Sequence, residues 1–295
     1  MKELVSIIIP TYKRSGMLER AINSCLEQTY KNIEIVLVDD NNPNTEGRHL
    51  TEEFVKNYEN NEKVKYVKME KNSGGCLARN RGVNESNGTY IAFLDDDDYF
   101  FETKIEEQLK YMIDNNLDAS FTGSETFDET KNQLIKVKRY TNFGKYDDIL
   151  KFHLVEMIVS PQTFMYKKDV FLQIGGFDIV PAGHEYYLMY KTIINNYKIG
   201  YLNNVLTRIC IHSGERITTG KNKIIAEKFL YDLKRKHFDI LNYKQKRFVK
   251  YIYKYNVWQR YNSSKNFKSF LWLFYILLTH PILLLKRKIL KELKI

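Results

Sequence analysis

Apolar runs and helical spacings alternate along the first 125 residues of the chain. Short β-branched and aromatic runs predict five strands, at Val5–Ile9, Ile33–Val38, Val64–Met69, Tyr90–Leu94 and Ala119–Thr122. Helical spacing of apolar residues predicts the intervening helices, at Met17–Gln28, Glu52–Tyr58, Gly74–Ser86 and Lys104–Asn115. Because strands and helices alternate, we predict an α/β fold with a mostly parallel sheet and helices on both faces.

The pattern loosens between Phe127 and Phe177, where short strands surround one predicted helix near Tyr146–Val155. A further helix is predicted over Glu185–Asn196, and the last quarter of the chain is helical and rich in Lys and Tyr. We therefore predict an α/β domain over residues 1–219, with halves 1–125 and 126–219, and a helical C-terminal region over residues 220–295.

The charge is distributed unevenly along the chain. The 295 residues are 43% hydrophobic and 28% charged, which excludes a disordered chain. Residues 221–295 hold 19 Lys and Arg against 4 Asp and Glu, a net charge of +15, whereas the first 220 residues hold 27 against 32, a net charge of −5. A basic region of this kind is expected to meet a polyanion or an anionic membrane surface.

The cysteines and the N-terminal residues indicate the cellular compartment in which the protein works. Cys25, Cys76 and Cys210 are widely spaced and odd in number, which argues against a disulfide framework or a zinc ribbon. The apolar run before Pro10 is too short and too early for a signal peptide. These features predict a reduced, cytoplasmic setting.

Polar groups follow three of the predicted strands, at Thr11–Arg14, Asp39–Asp40 and Asp95–Asp98. Ligands of open parallel sheets bind beyond the carboxyl ends of the strands. In an extended segment Asp95 and Asp97 would project to the same side and share Mg²⁺ or Mn²⁺. The alternative is an acidic loop or helix N-terminus that binds no metal. The sequence contains no phosphate-loop, dinucleotide-binding, nucleophile-elbow or H-E-x-x-H motif, so the corresponding enzyme classes are not favoured.

Several motifs in order resemble those of family 2 glycosyltransferases, which are inverting, nucleotide-sugar-dependent enzymes with the GT-A fold. The matching segments are Val5–Arg14, Glu34–Asn41, Gly75–Gly82, Tyr90–Asp98, Gly175–Asp178 and His184–Lys191. The resemblance covers about residues 4–216. It implies that residues 1–125 form the nucleotide-sugar half and residues 126–219 the acceptor half.

The resemblance implies roles for individual positions. It assigns the nucleotide sugar to Pro10, Thr11, Tyr12, Arg14, Asp40, Arg79, Asp96, His212 and Arg216. Within this set, Pro10 to Tyr12 would contact the base and ribose, Asp40 a uracil-type ring N–H, and Asp96 the ribose. Arg79 would approach the diphosphate, although a salt bridge to a surface carboxylate is the alternative. Asp95 and Asp97 would bind the metal, Mn²⁺ or Mg²⁺.

Glu185 is the predicted catalytic base. The family usually has Glu-Asp where this chain has His184 and Glu185, so the acid is one methylene longer. Its task is to accept the proton of the acceptor hydroxyl, whereas the leaving diphosphate needs a cation and not an acid. The alternative is that Glu185 only caps the following helix. In the segment Ile211–Ile217, His212 would contact metal or phosphate and Arg216 would neutralise the leaving group, unless the segment is an ordinary exposed loop.

The C-terminal region is predicted to lie against a membrane. The apolar segment Phe270–Leu285 is about 24 Å long as a helix, short of the ~30 Å core of a bilayer, and Pro281 interrupts it. An interfacial segment on the inner face of the cell membrane is therefore favoured over a spanning one. A helical pair packed on the catalytic domain or on a second copy is the alternative, and the latter would make a homo-oligomer.

These observations predict a hexosyltransferase that moves a sugar, from a UDP-sugar in the first instance, to a glycan or lipid-linked acceptor in capsule, lipopolysaccharide or teichoic-type synthesis. Two other functions stay open. A sugar-nucleotide nucleotidyltransferase has similar metal chemistry but usually a Gly-rich loop after the first strand, where this chain has Pro10–Arg14. A nucleic-acid-binding protein would explain the basic, Tyr-rich Lys221–Tyr261 but not the aspartates, so nucleic acid is not predicted as a partner.

Overall fold

The structure, a computed structural model, describes residues 2–145, 148–181, 183–212, 223–263 and 267–281. The chain forms two compact units. The first comprises Met1–Lys145, Ile158–Ile179 and His184–Gly214, and the second comprises Tyr146–Met157, Val180–Gly183 and Glu215–Ile295. The predicted domain boundary after Thr219 lies outside the described residues.

The strands of the first unit form one sheet of nine strands across its described residues. They are β1 (Val5–Thr11), β2 (Ile33–Asp39), β3 (Val64–Lys68), β4 (Tyr90–Phe93), β5 (Tyr99–Phe100), β6 (Ala119–Asp128), β7 (Gln133–Lys138), β8 (Phe164–Lys167) and β9 (Ile199–Ile211). The order is β3-β2-β1-β4-β8-β6-β9-β5, and β7 pairs with β6. The predicted parallel arrangement is confirmed for β1 to β4 and recurs between β6 and β9, whereas β8 is antiparallel to both of its neighbours.

The α-helices alternate with these strands and then continue alone towards the C-terminus. They are α1 (Ser15–Leu26), α2 (Glu46–Val55), α3 (Gly75–Glu85), α4 (Lys104–Asp114), α5 (Ile149–Glu156), α6 (Lys168–Gln173), α7 (His184–Ile194), α8 (Lys223–Arg235), α9 (Tyr243–Ser263) and α10 (Lys268–Thr279). Helix α2 begins six residues before its predicted start, because the Thr45 hydroxyl accepts a hydrogen bond from the Arg48 N–H and caps it.

Strand β1 is buried along its whole length because helices cover both faces of the sheet. Ile7 and Ile9 pack in one core with Leu18 of α1 and Ile105 of α4. Ile8 points to the other face, where Gly82 of α3 lies so close that a Cβ there would come 2.4 Å from the Ile8 Cγ2. Burial on both faces explains why Ile7, Ile8 and Ile9 are consecutive apolar residues and do not alternate with polar ones.

The prediction that Pro10 ends the first strand is wrong. Strand β1 continues through Pro10 to Thr11, and both residues keep their register with β2. Pairing of β1 with β4 ends at Ile8, and alternation along the strand turns the nitrogen of Pro10 to that side. The N–H that proline lacks is therefore not needed by the sheet at this position.

The second unit consists of α5, α8, α9 and α10 within the described part of the chain. Leu154 of α5 packs with Leu241 and with Val249 of α9. The rings of Tyr231 and Tyr253 stack at 4.2 Å between α8 and α9. No described helix has both the length and the apolar character that a membrane span requires.

Lys104 is a charged residue type placed in the main core. Its side chain is fully buried, its Nζ lies 4.1 Å from the centroid of the Phe100 ring, and no described group accepts a hydrogen bond from it. Burial lowers the pKa of Lys104 from 10.5 to about 7, although Cys25 opposes this shift. Between pH 7 and 10.5 the unfolded chain therefore binds more protons than the folded one, so the free energy of unfolding rises with pH in that range.

Replacing Lys104 by methionine is expected to stabilise the protein most at low pH. At pH 6 the free energy of unfolding should rise by on the order of 3 kcal/mol, because no charge is then buried, and this gain should fall by more than half by pH 9. Urea unfolding at both pH values measures it. The control is Lys110→Met on the exposed side of α4. If the increase in the free energy of unfolding is the same at both pH values, the pKa of Lys104 is not lowered by burial.

Candidate active site

The four consecutive aspartates follow β4 after one residue, Leu94, and form a turn. The N–H of Asp98 donates to the carbonyl of Asp95 at 3.1 Å, so the prediction of an extended segment is wrong. The turn brings carboxylate oxygens of Asp95, Asp97 and Asp98 within 4.8 Å of one another. Asp95 and Asp97 thus come together as predicted, but by a different backbone geometry, and Asp98 joins them.

Asp96 points away from the other three aspartates, towards the end of β1. It is buried and accepts hydrogen bonds from the Thr11 hydroxyl at 2.8 Å and from Arg14 Nη1 at 3.1 Å. Burial raises the pKa of Asp96 to about 6, and the charge of Arg14 opposes that rise. The structure therefore places Asp96 among the residues predicted for the nucleotide, together with Thr11, Tyr12 and Arg14.

The donor set at the turn fits a hard divalent cation. Asp97 pairs with Arg14 at 2.7 Å and with His212 Nε2 at 2.9 Å, while Asp95 pairs with Arg79. Asp98 is more constrained, because it accepts from Gln162 Nε2 at 2.6 Å and from the Cys210 N–H at 2.8 Å. Carboxylate oxygens that are close together and partly exposed suit Mg²⁺ or Mn²⁺, with Asp95 and Asp97 the more accessible ligands.

The segment after β9 contributes to this site through His212. Its imidazole is in hydrogen-bonding contact with Asp97, the predicted metal ligand. The other predicted residue of this segment, Arg216, lies outside the described residues, as does the rest of the segment beyond His212.

Asp40 is placed at the carboxyl end of β2, where its oxygens hold the loop before α3. It accepts from the Ser73 and Gly74 N–H groups at 2.8 Å each and from Asn72 Nδ2 at 3.1 Å. Burial raises the pKa of Asp40, and the two backbone N–H groups oppose this rise. Asp40 therefore shapes the loop that leads into α3, whatever it contributes to a nucleotide base.

Arg79 occupies the centre of the site. Its guanidinium is largely buried, forms an ion pair with Asp95, and lies 5.6 Å from the centroid of the Phe177 ring. Burial lowers the pKa of Arg79, but the charges of Asp95 and Glu185 outweigh that effect and raise it. Arg79 is thus within electrostatic reach of both the aspartate turn and the predicted base.

Glu185 is the second residue of α7, in the first helical turn. Within the described part of the chain no group donates a hydrogen bond to its carboxylate, which is half-buried. His184 precedes it and is held through a hydrogen bond between its Nδ1 and the carbonyl oxygen of Asp178, at 2.9 Å. A carboxylate with free acceptor capacity is suited to take a proton from a hydroxyl group.

A clamp that the sequence did not reveal connects α3 to the turn before α7. The Asn80 amide donates to the carbonyl of Phe177 at 2.8 Å and accepts from its N–H at 2.9 Å. Gly176 has a φ of +61°, and a Cβ there would lie 2.6 Å from Asn80 Oδ1, so glycine is required. Asn80 directly follows Arg79 in the family-like segment Gly75–Gly82, but only the three-dimensional structure shows that its partner is the backbone of Phe177.

The chain is similar in sequence to known glycosyltransferases. The sequence model of glycosyl transferase family 2 matches residues 6–175. The chain is 32% identical over 226 residues to the uncharacterized glycosyltransferase RP339 of Rickettsia prowazekii, covering 75% of this chain and 68% of that one. It is 35% identical over 151 residues to the putative teichuronic acid biosynthesis glycosyltransferase TuaG of Bacillus subtilis, covering 51% and 58%.

Solved structures share the fold. Residues 1–349 of S. aureus TarS in complex with UDP-GlcNAc superpose with a TM-score of 0.64, at 18% identity, over 84% of this chain and 70% of that one. The mannosyltransferase PcManGT of Pyrobaculum calidifontis, in complex with GDP-Man and Mn²⁺, gives 0.61 at 15% identity, over 95% and 82%. The fold and site define a glycosyltransferase of the GT-A type. The chain belongs to glycosyl transferase family 2.

Proposed function

We propose that this protein transfers a sugar from a nucleoside diphosphate, UDP in the first instance, to a hydroxyl group with inversion. The observation that carries the proposal is the position of Arg79, which pairs with Asp95 on the aspartate turn and lies within electrostatic reach of Glu185 on α7. These contacts support the proposal, because Arg79 pairs with a cluster suited to a metal-bound diphosphate and is also influenced by the charge of the proposed base.

In the proposed reaction Glu185 accepts the proton of the acceptor hydroxyl as its oxygen forms a bond to the anomeric carbon. The bond from that carbon to the diphosphate oxygen breaks on the opposite face, so the configuration inverts. Arg79 and Arg14 would neutralise charge on the departing diphosphate, since both guanidiniums already lie against the aspartate turn.

Asp95 and Asp97 are the residues that would hold Mn²⁺ or Mg²⁺, with Asp98 and His212 beside them. When bound, the cation would neutralise negative charge on the leaving diphosphate, which is why no general acid is required. The Mn²⁺ complex of PcManGT supports this assignment. Thr11, Tyr12, Arg14, Asp40 and Asp96 are proposed to contact the nucleotide.

UDP is proposed as the nucleotide for two reasons. The TarS complex contains UDP-GlcNAc in the same fold. Asp40 at the end of β2 is an acceptor group, which suits the ring N–H of uracil but not cytosine, which lacks that hydrogen. The acceptor is proposed to be a growing surface polysaccharide or its lipid-linked precursor at the inner face of the membrane. The name of TuaG, a putative teichuronic acid biosynthesis glycosyltransferase, supports the polysaccharide part of this proposal.

Calorimetric titration tests the donor site. UDP should bind in the presence of Mn²⁺ at least ~10-fold more tightly than GDP or CDP, and EDTA should weaken UDP binding by a similar factor. If GDP binds more tightly than UDP, the proposal of a UDP-sugar donor is wrong and a GDP-sugar takes its place. If no nucleotide binds with or without metal, the assignment of the aspartate turn to a donor diphosphate would be wrong.

A further inference from the structure

One side of α10 exposes a continuous apolar stripe. Phe267, Phe270, Phe274 and Leu278 are 77%, 66%, 57% and 67% exposed, and their spacing of three or four residues places them along one side of the helix. No charged residue occurs between Lys268 and Thr279. Contiguous exposed apolar surface of this kind marks a contact with another molecule.

The opposite side of α10 is already packed within its own unit. Ile276 is fully buried and contacts the cluster of Tyr251 and Tyr255 on α9. Lys254 of α9 lies with its Nζ 3.8 Å from the centroid of the Tyr275 ring and donates to the Thr279 hydroxyl. These contacts set the rotation of α10 on α9, so the exposed stripe is not the side that α9 uses.

Charge identifies the occupant of the stripe. Residues 221–295 carry a net charge of +15. A second copy docked on this side would bring a region of the same charge against it, which opposes association. An anionic lipid surface instead offers an apolar phase for the phenylalanines and phosphate groups for the lysines.

The dimensions and the residue types of α10 agree with a helix that lies flat at such a surface. Its 12 residues span about 18 Å, well below the ~30 Å of a hydrocarbon core. Tyr275 is 46% exposed within it, Lys268 is its first residue, and Lys254 of α9 adjoins it. Amphipathic rings and flanking cations are typical of the boundary between acyl chains and headgroups.

We propose that α10 docks on an anionic lipid surface through the stripe of Phe267, Phe270, Phe274 and Leu278. This inference deepens the membrane-surface part of the proposed function and rests on it, but it is argued from the C-terminal region and not from the aspartate turn. Lipid binding and nucleotide binding are therefore separable, and failure of either leaves the other intact.

Vesicle sedimentation of the full chain tests the proposal. The protein should bind vesicles of phosphatidylcholine mixed with phosphatidylglycerol, and bind phosphatidylcholine alone more weakly. The double variant Phe270→Ser/Phe274→Ser should lose at least ~10-fold in partitioning into the mixed vesicles. Ile225→Ser on α8, where the side chain is 60% exposed, is the matched control and should bind as the unchanged protein does.

Thermal melting and UDP binding report whether the variants are folded. Unchanged vesicle binding by the folded double variant would overturn the proposal, and so would the absence of binding to anionic vesicles by the unchanged chain. Sedimentation velocity tests the other possible occupant of the stripe, a second copy of the chain. A dimer that the double variant abolishes would assign the stripe to a second copy in place of lipid.

Discussion

Glu185→Gln is expected to lower the rate of sugar transfer by a factor of about 10²–10⁴, because glutamine keeps the shape of the side chain but cannot accept the proton of the acceptor hydroxyl. UDP binding should stay within about twofold of the unchanged protein, since Glu185 lies on α7 and not on the aspartate turn. Release of UDP from UDP-sugar in the presence of acceptor measures the rate, and calorimetry measures the binding.

Two further variants make this result specific. Glu185→Asp keeps a carboxylate and restores the acid that the family usually has at this place, so it should retain more activity than the glutamine variant. Glu62→Gln changes an exposed glutamate outside the site and should have no effect. Glu185→Gln could instead transfer sugar at the normal rate while Asp178→Asn does not. The role of base would then pass from Glu185 to Asp178, whose carboxylate forms an ion pair with Lys191 of α7.

Asp97→Asn is expected to weaken Mn²⁺-dependent UDP binding by about 10- to 100-fold. Asparagine fits the same space but removes the charge from the carboxylate that adjoins Asp95, Asp98 and His212. Without that charge the site holds a divalent cation less tightly, and the diphosphate loses part of its counter-charge. Calorimetry with UDP and Mn²⁺, followed by the same titration in EDTA, measures both contributions.

The matched control for Asp97 is Asp114→Asn, an exposed aspartate on α4 that pairs with Lys110. It should bind UDP and Mn²⁺ as the unchanged protein does. If Asp97→Asn also binds normally, the metal ligand is a different residue of the turn. If UDP binds the unchanged protein equally well in EDTA, Arg14 and Arg79 alone would supply the counter-charge, and the proposed metal role would be wrong.

The paths of β1, β2 and β4 were readable from the sequence because these strands are buried on both faces, whereas the edge strand β3 is partly exposed. Ile7, Ile8 and Ile9 all have to be apolar when α1 and α4 cover one face and α3 covers the other. The prediction of the fifth strand covered only part of the strand in the structure. Ala119–Thr122 is only the start of β6, which runs to Asp128, because its later residues pair with β7 and β9 and are partly exposed.

The candidate site was predictable in part for a similar reason. Asp40 and the four aspartates come after the buried strands β2 and β4, and the ends of parallel strands meet at one edge of the sheet, whereas Arg79 lies within α3 and was assigned through the family motif. Gln162 and Asn80 were not predictable from spacing, because their partners, Asp98 and Phe177, lie 64 and 97 residues away. A polar residue in a loop carries no sign of which distant group it will meet.

The sequence by itself determined the alternation of strands and helices, the edge at which the chemistry gathers and the family of the chain, because burial and short motifs act over neighbouring residues. Only the tertiary structure decided that Asp95–Asp98 is a turn, that Asp96 faces Thr11 while Asp95 faces Arg79, and that α10 leaves its apolar side exposed. The direction of a side chain depends on the groups packed around it, and those groups come from distant parts of the chain.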